Sequence, residues 1–92
     1  MGCVTRFTAH GQRDLLKVPL PDARRIMYRL TEFQRALDAG TVESFDIKSV
    51  QGHPGLWRLR VGDYRVVYTI EDGQLIVWVV AVGNRRDICR RY

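Results

Sequence analysis

The run Trp57-Arg58-Leu59-Arg60-Val61-Gly62-Asp63-Tyr64-Arg65-Val66-Val67-Tyr68 leaves little choice but a β-hairpin. Gly62-Asp63 fits a two-residue type II′ turn, with glycine where φ must be positive. Pairing across that turn sets Val61 opposite Tyr64, Arg60 opposite Arg65, Leu59 opposite Val66 and Arg58 opposite Val67. Side chains alternate between the faces of a strand. Arg58, Arg60 and Arg65 therefore share one face. Trp57, Leu59, Val61, Tyr64, Val66 and Tyr68 share the other. Like charges placed directly opposite destabilise a sheet. Three guanidinium groups on one small face point to an anion from outside the chain, and phosphate suits them.

The remaining chain supplies little beyond what such a hairpin needs for a core. Its 92 residues make one domain, 1–92, and 46% of them are hydrophobic. Net charge is +5 and the pI about 9.8, a balance suited to a polyanionic or acidic partner. Only Lys17 and Lys48 among the 15 basic residues are lysines. Arginine dominance fits bidentate phosphate contacts; a GC-rich genome accounts for it equally well. Cys3 and Cys89 make neither a disulfide framework nor a metal set. No apolar run reaches the roughly 18 residues of a membrane span. A cytoplasmic, reduced protein with no membrane partner is the expectation.

Val4 to Thr8 reads as a first strand, and Ala9 to Val18 as a short helix with Leu15, Leu16 and Val18 on its apolar side. Pro19 and Pro21 break that helix. A second helix starts at Pro21-Asp22. Its stripe is Ala23, Ile26, Met27, Leu30, Phe33 and Leu37, and Gly40 ends it. Arg24, Arg25, Arg29 and Arg35 lie off the stripe and read as a solvated face. Thr41 to Gly55 reads as a long irregular stretch. After the hairpin, Asp72-Gly73 marks another turn. Leu75 to Val82 is apolar on both faces and reads as a covered inner strand. Arg85 to Tyr92 is a basic tail, read as a short helix. The class is α+β: two N-terminal helices on a small, twisted, mainly antiparallel sheet, in the order β-α-α-β-β-β plus a C-terminal helix. His53, beside Pro54-Gly55, reads as a loop residue, and Trp57 and Trp78 as core. Glu43, Ser44 and Asp46 form no recognisable catalytic set.

The stretch from Gly52-His53-Pro54-Gly55 through Tyr68, followed by Val82-Gly83-Asn84-Arg85-Arg86-Asp87-Ile88, resembles the RelE branch of the RelE/ParE toxin superfamily. The element order and chain length fit as well. The resemblance implies a toxin of a bacterial type II toxin–antitoxin pair, neutralised by a cognate, RelB-like antitoxin and reaching operator DNA only through it. RelE-like toxins act in the ribosomal A site as metal-independent endoribonucleases, without a cofactor. The ribose 2′-oxygen of the messenger attacks the adjacent phosphate and leaves a 2′,3′-cyclic phosphate and a 5′-hydroxyl. By this resemblance Arg65 matches the arginine after the Gly-Asp-Tyr turn, and Arg85 the arginine after Val-Gly-x. Arg58 stands where some relatives carry a catalytic lysine. Lys48, Arg60, Arg86 and Arg90 are the implied RNA-binding set. The family tyrosine falls on Cys89 here. Three readings of Cys89 stand open: a packed inert residue, a thiolate base lowered by its arginine neighbours, or a position whose role Tyr92 covers one turn later. A ParE-type gyrase inhibitor, with no nuclease site, is the alternative function.

Overall fold

Three helices and five strands make up the computed structural model, which describes residues 3–71 and 75–92. In chain order they are β1 (Val4–Phe7), α1 (Ala9–Leu16), α2 (Leu20–Ala39), β2 (Ile47–Ser49), β3 (Trp57–Val61), β4 (Tyr64–Glu71), β5 (Ile76–Asn84) and α3 (Arg85–Arg91). The expected α+β class holds. The sheet runs β1-β5-β4-β3-β2, parallel between β1 and β5 and antiparallel elsewhere. No helix among the described residues is long and apolar enough to cross a membrane.

The β3–β4 hairpin has the register read from its turn, Val61↔Tyr64 through Arg58↔Val67. Gly62 sits at φ +59 and Asp63 is not in the left-handed region, as a type II′ turn demands. Leu59, Val61, Val66 and Tyr68 face α2 and are buried. From α2, Ile26, Leu30 and Phe33 pack into the same cluster. Gly40 ends α2 at φ +72, taking the left-handed cap that glycine adopts without strain. The opposite face of the sheet carries a second, smaller cluster of Val50, Val67, Ala81 and Ile88, which α3 covers.

Several expectations are corrected. The stretch Thr41 to Gly55 contains β2, three residues that pair Lys48 with Arg58. So short an edge strand carries no readable period of its own; its partner specifies it. In β5 a bulge between the partners of Val67 and Tyr68 makes Val80 an extra residue. Val77, Val79 and Val82 thus face the main core, and Ala81 the second one. That shift is one reason the run looks apolar on both faces. Leu16 is 77% exposed and Met27 is exposed too, so the stripes of both helices are narrower than read. Trp57 is 42% exposed, at the start of β3 and outside the cluster. Trp78 is half-buried on the face away from α2 and donates its indole N–H to Glu71 at 3.1 Å. Arg29 is half-buried, its guanidinium 4.0 Å from the Phe45 ring centroid. The Asp72-Gly73 turn lies outside the described residues.

The helix α1 covers the edge of β5 beyond the end of β1. Thr8 caps α1 by accepting from Gly11 N–H at 3.1 Å, while its own N–H donates to the Val79 carbonyl at 3.0 Å. The close approach needs a glycine: a Cβ on Gly11 would stand 2.3 Å from the Val79 carbonyl oxygen. Gly11→Ala is therefore expected to lower stability by about 1–3 kcal/mol through overpacking, although alanine gains about 1 kcal/mol of helix propensity. Gln12→Ala, one residue on and exposed, is expected to be neutral or slightly stabilising. Thermal melts of the two variants check this; equal midpoints would mean the approach is loose.

Candidate active site

Period 2 along β3 and β4 puts Arg58, Arg60 and Arg65 on the face away from α2, as read. The register Lys48↔Arg58 adds Lys48 from β2 to the same face. These four cations and Asp46 line one small cavity of about 50 Å³. Arg60 Nη1 stands 4.0 Å from Asp46 Oδ2, and Arg60 Nε donates to the Gly62 carbonyl at 3.2 Å. Arg58, Arg65 and Lys48 have no carboxylate within ion-pairing distance among the described residues.

The electrostatics follow from that imbalance. Partial burial holds the Arg65 guanidinium below its ordinary value, and the charges of Arg60, Arg58 and Arg85 push it the same way; Asp46 only partly offsets them. Four like charges gathered around one carboxylate are costly for the chain alone. An incoming phosphodiester would relieve the repulsion, and guanidinium groups are shaped to bind it bidentately. Arg65 sits at the centre, opposite Arg60 on β3 and Gly83 on β5.

Beside this cavity lies a wider cleft of about 490 Å³, in the size range of ligand sites. Lys48 and Arg58 line both spaces. Cys89 and Tyr92 of the C-terminal segment complete the wider cleft, with Ser49, Val50, Gln51 and Ile88. A tight cationic hole thus lies next to a roomier cleft with one aromatic wall. The Tyr92 ring meets His53 edge-on, centroids 5.3 Å apart.

α3 places the remaining expected residues unevenly. Asn84 caps it by accepting from Asp87 N–H at 2.9 Å, which starts the helix where β5 ends. Arg85, its first residue, is near enough to Arg65 to influence its charge. Cys89 is exposed rather than packed. Its exposure comes from the phase of α3, which buries Ile88 instead. Arg90 lines a different cleft, with Asp14, Lys17 and Asp87, and does not join the arginine face. Arg86 is exposed and lines none of these spaces. Sequence reasoning passed over Asp46 as a member of the site. No local pattern signals it: Asp46 reaches the arginines only because the segment that follows it pairs with β3.

Residues 6–89 match the family described as ParE toxin of type II toxin–antitoxin system, parDE. No curated protein sequence matches the chain. Among solved structures, the RelB–RelE antitoxin–toxin complex of Methanococcus jannaschii contains a chain 24% identical to this one. The likeness covers 94% of this chain and 96% of that chain, with a TM-score of 0.72. The toxin–antitoxin complex RelBE2 of Mycobacterium tuberculosis is similar at 29% identity, 92% and 100% coverage and a TM-score of 0.64. The intact RelBE toxin–antitoxin complex of Escherichia coli is similar at 22% identity, 91% and 96% coverage and a TM-score of 0.64. The shared feature is the RelE-like fold.

Proposed function

The chain belongs to the ParE toxin family of type II toxin–antitoxin systems, and within that family we propose that it is a RelE-type, ribosome-dependent messenger endoribonuclease, held in check by a cognate RelB-like antitoxin. One observation carries this reading: the cluster of Lys48, Arg58, Arg60 and Arg65 around a single carboxylate, with Arg85 beside it. A poison that acts only by protein contact has no need of a small cavity lined by four cations.

The proposed chemistry follows from charge. Attack of a ribose 2′-oxygen on the adjacent phosphate forms a P–O2′ bond and breaks the P–O5′ bond. The negative charge on the phosphate grows in the transition state. Arg58, Arg65 and Arg85 stabilise it, since preorganised cations in a partly dry site need no rearrangement as the charge develops. Lys48 and Arg60 hold flanking phosphates. The 2′-proton goes to a group on the wall of the wider cleft, where Cys89 and Tyr92 stand, and the departing 5′-oxygen takes a proton from water to leave as the 5′-hydroxyl. The ribosome positions the message, and operator DNA is reached only through the antitoxin.

The family match favours a second reading, gyrase inhibition. Primer extension on translated messages after induction separates the two. Cuts at fixed codon positions support the nuclease. An SOS response without cuts supports gyrase.

A separate expectation concerns the cleft wall. Cys89→Tyr is expected to raise cleavage, since a phenol can donate, accept and stack where a thiol does so weakly. Tyr92→Phe, which removes a hydroxyl able to handle the proton, is expected to lower it by roughly a hundredfold or more. Single-turnover cleavage on programmed ribosomes measures both. Equal rates in the parent, Cys89→Ser, Cys89→Tyr and Tyr92→Phe would leave the chemistry to the arginines and the ribosome.

A further inference from the structure

α3 is only seven residues long. An isolated helix shorter than about 12–15 residues is marginal in water, so what α3 touches decides where it lies. Ile88 is buried beneath it, against Val50, Val67 and Ala81. Tyr92 leans on His53 at one flank. At the other flank Arg91 Nη2 donates to Asp14 Oδ2 on α1 at 2.9 Å. Asp14 is the buried charged residue of the described chain, 9% exposed. The same oxygen accepts the backbone N–H of Val82 at 3.0 Å, on the edge of β5 that β1 does not reach. That bond to β5 anchors the carboxylate, which therefore offers Arg91 an acceptor in a set place. The exposed ring of His10 stands beside both, its Nε2 3.6 Å from Asp14 Oδ2 and in contact with Arg91 Nη2.

We propose that Asp14 and Arg91 are a positioning pair: the anchored carboxylate seats α3 across the sheet, so that Cys89 and Tyr92 wall the cleft lined by Lys48 and Arg58. What α3 positions rests on the nuclease reading above; the seating itself does not. Neither Asp14 nor Arg91 lines the cationic cavity or the wider cleft. They act through α3. Asp14 also satisfies a strand N–H, so removing it orphans Val82 and endangers the fold. Arg91 lies on the exposed side of the pair and is the residue to change.

The test compares the parent toxin with Arg91→Ala and Arg91→Lys in two measurements. Hydrogen exchange reads the amides of residues 85–92 in the free protein. Cleavage on programmed ribosomes reads kcat and KM separately. Arg91→Ala is expected to speed exchange in α3 by on the order of tenfold, as loss of one charge-assisted bond allows, with β4 and β5 unchanged. It is expected to lower kcat between roughly tenfold and a hundredfold, the scale of a small misplacement of reacting groups. KM should move little, which separates seating from a lost phosphate contact. Arg91→Lys, whose ammonium can still donate to Asp14, is expected to restore most of both. Parent-like exchange in Arg91→Ala overturns the proposal. So does a loosened α3 with parent-like kcat, because the seat would then position nothing the reaction uses. A parent that cuts no message refutes the nuclease reading instead; faster α3 exchange in Arg91→Ala would then still support the seating, and unchanged exchange would overturn it.

Discussion

Arg65→Ala is expected to cut messenger cleavage by about a hundredfold to a thousandfold, ~3–4 kcal/mol of barrier, while leaving the protein as stable as before or more so. The first half follows from where Arg65 sits: in the cationic cavity, half-buried, with Arg58, Arg60 and Lys48 around it. The second half follows from what Arg65 costs the folded chain. It lies directly opposite Arg60, and like charges at opposed positions destabilise a sheet. Burial and the neighbouring arginines disfavour its charged form further. Taking it away removes repulsion and breaks no ion pair found among the described residues. A core mutation loses activity because it loses the fold; this one should lose activity alone. Arg85→Ala is expected to behave in the same way, less sharply, since Arg85 is exposed at the start of α3. Growth arrest on induction, primer extension and a thermal melt on the same variant are the measurements. Full arrest by Arg65→Ala would remove the arginine face from the mechanism. A large fall in melting temperature would show that Arg65 has a structural role instead.

The opposite pattern is expected of Phe33→Ala. Phe33 is fully buried in the middle of α2. Its ring meets Tyr68 of β4 edge-on at 5.1 Å and Phe45 of the following loop at 5.4 Å. It therefore joins α2, the sheet and the α2–β2 connection at one point. Truncating a buried phenylalanine costs about 3–5 kcal/mol, transfer and cavity together, and two aromatic pairs are lost with it. Small domains hold only about 5–15 kcal/mol in all. A shift of 4–8 °C per kcal/mol for a chain of this size makes the fall in melting temperature more than about 12 °C. Phe33→Leu keeps most of the volume and is expected to cost much less. Denaturation followed by circular dichroism decides it. A midpoint within a few degrees of the parent would mean that the core collapses around the gap. Activity of Phe33→Ala at low temperature, where it remains folded, should approach that of the parent, because Phe33 lies on the far side of the sheet from the arginines.

The hairpin and the long helix were legible in the sequence because their causes are local. Gly62 sets the turn, the turn sets the register, and period 2 then sorts Arg58, Arg60 and Arg65 from Leu59, Val61 and Val66. In α2 the 3.6-residue period and Gly40 did the same for Ile26, Leu30 and Phe33. So the arginine face, the α+β class and the superfamily resemblance are all legible in the amino-acid string. What the sequence could not reveal depends on partners far along the chain. β2 exists because β3 pairs with it, and that pairing alone brings Lys48 and Asp46 to the arginines. The bulge at Val80 appears only when β4 and β5 are laid side by side. Trp57 shares the face of Leu59 and Val61, yet it is 42% exposed and outside the core cluster. Cys89 is exposed because Ile88 takes the buried position under α3. Asp14 and Arg91 lie 77 residues apart, and no local pattern links a carboxylate on the first helix to a guanidinium on the last. Alternation and turn chemistry act over a few residues and are written into the string. Contacts that close long loops are chosen by the packing of the whole, and only the tertiary structure holds them.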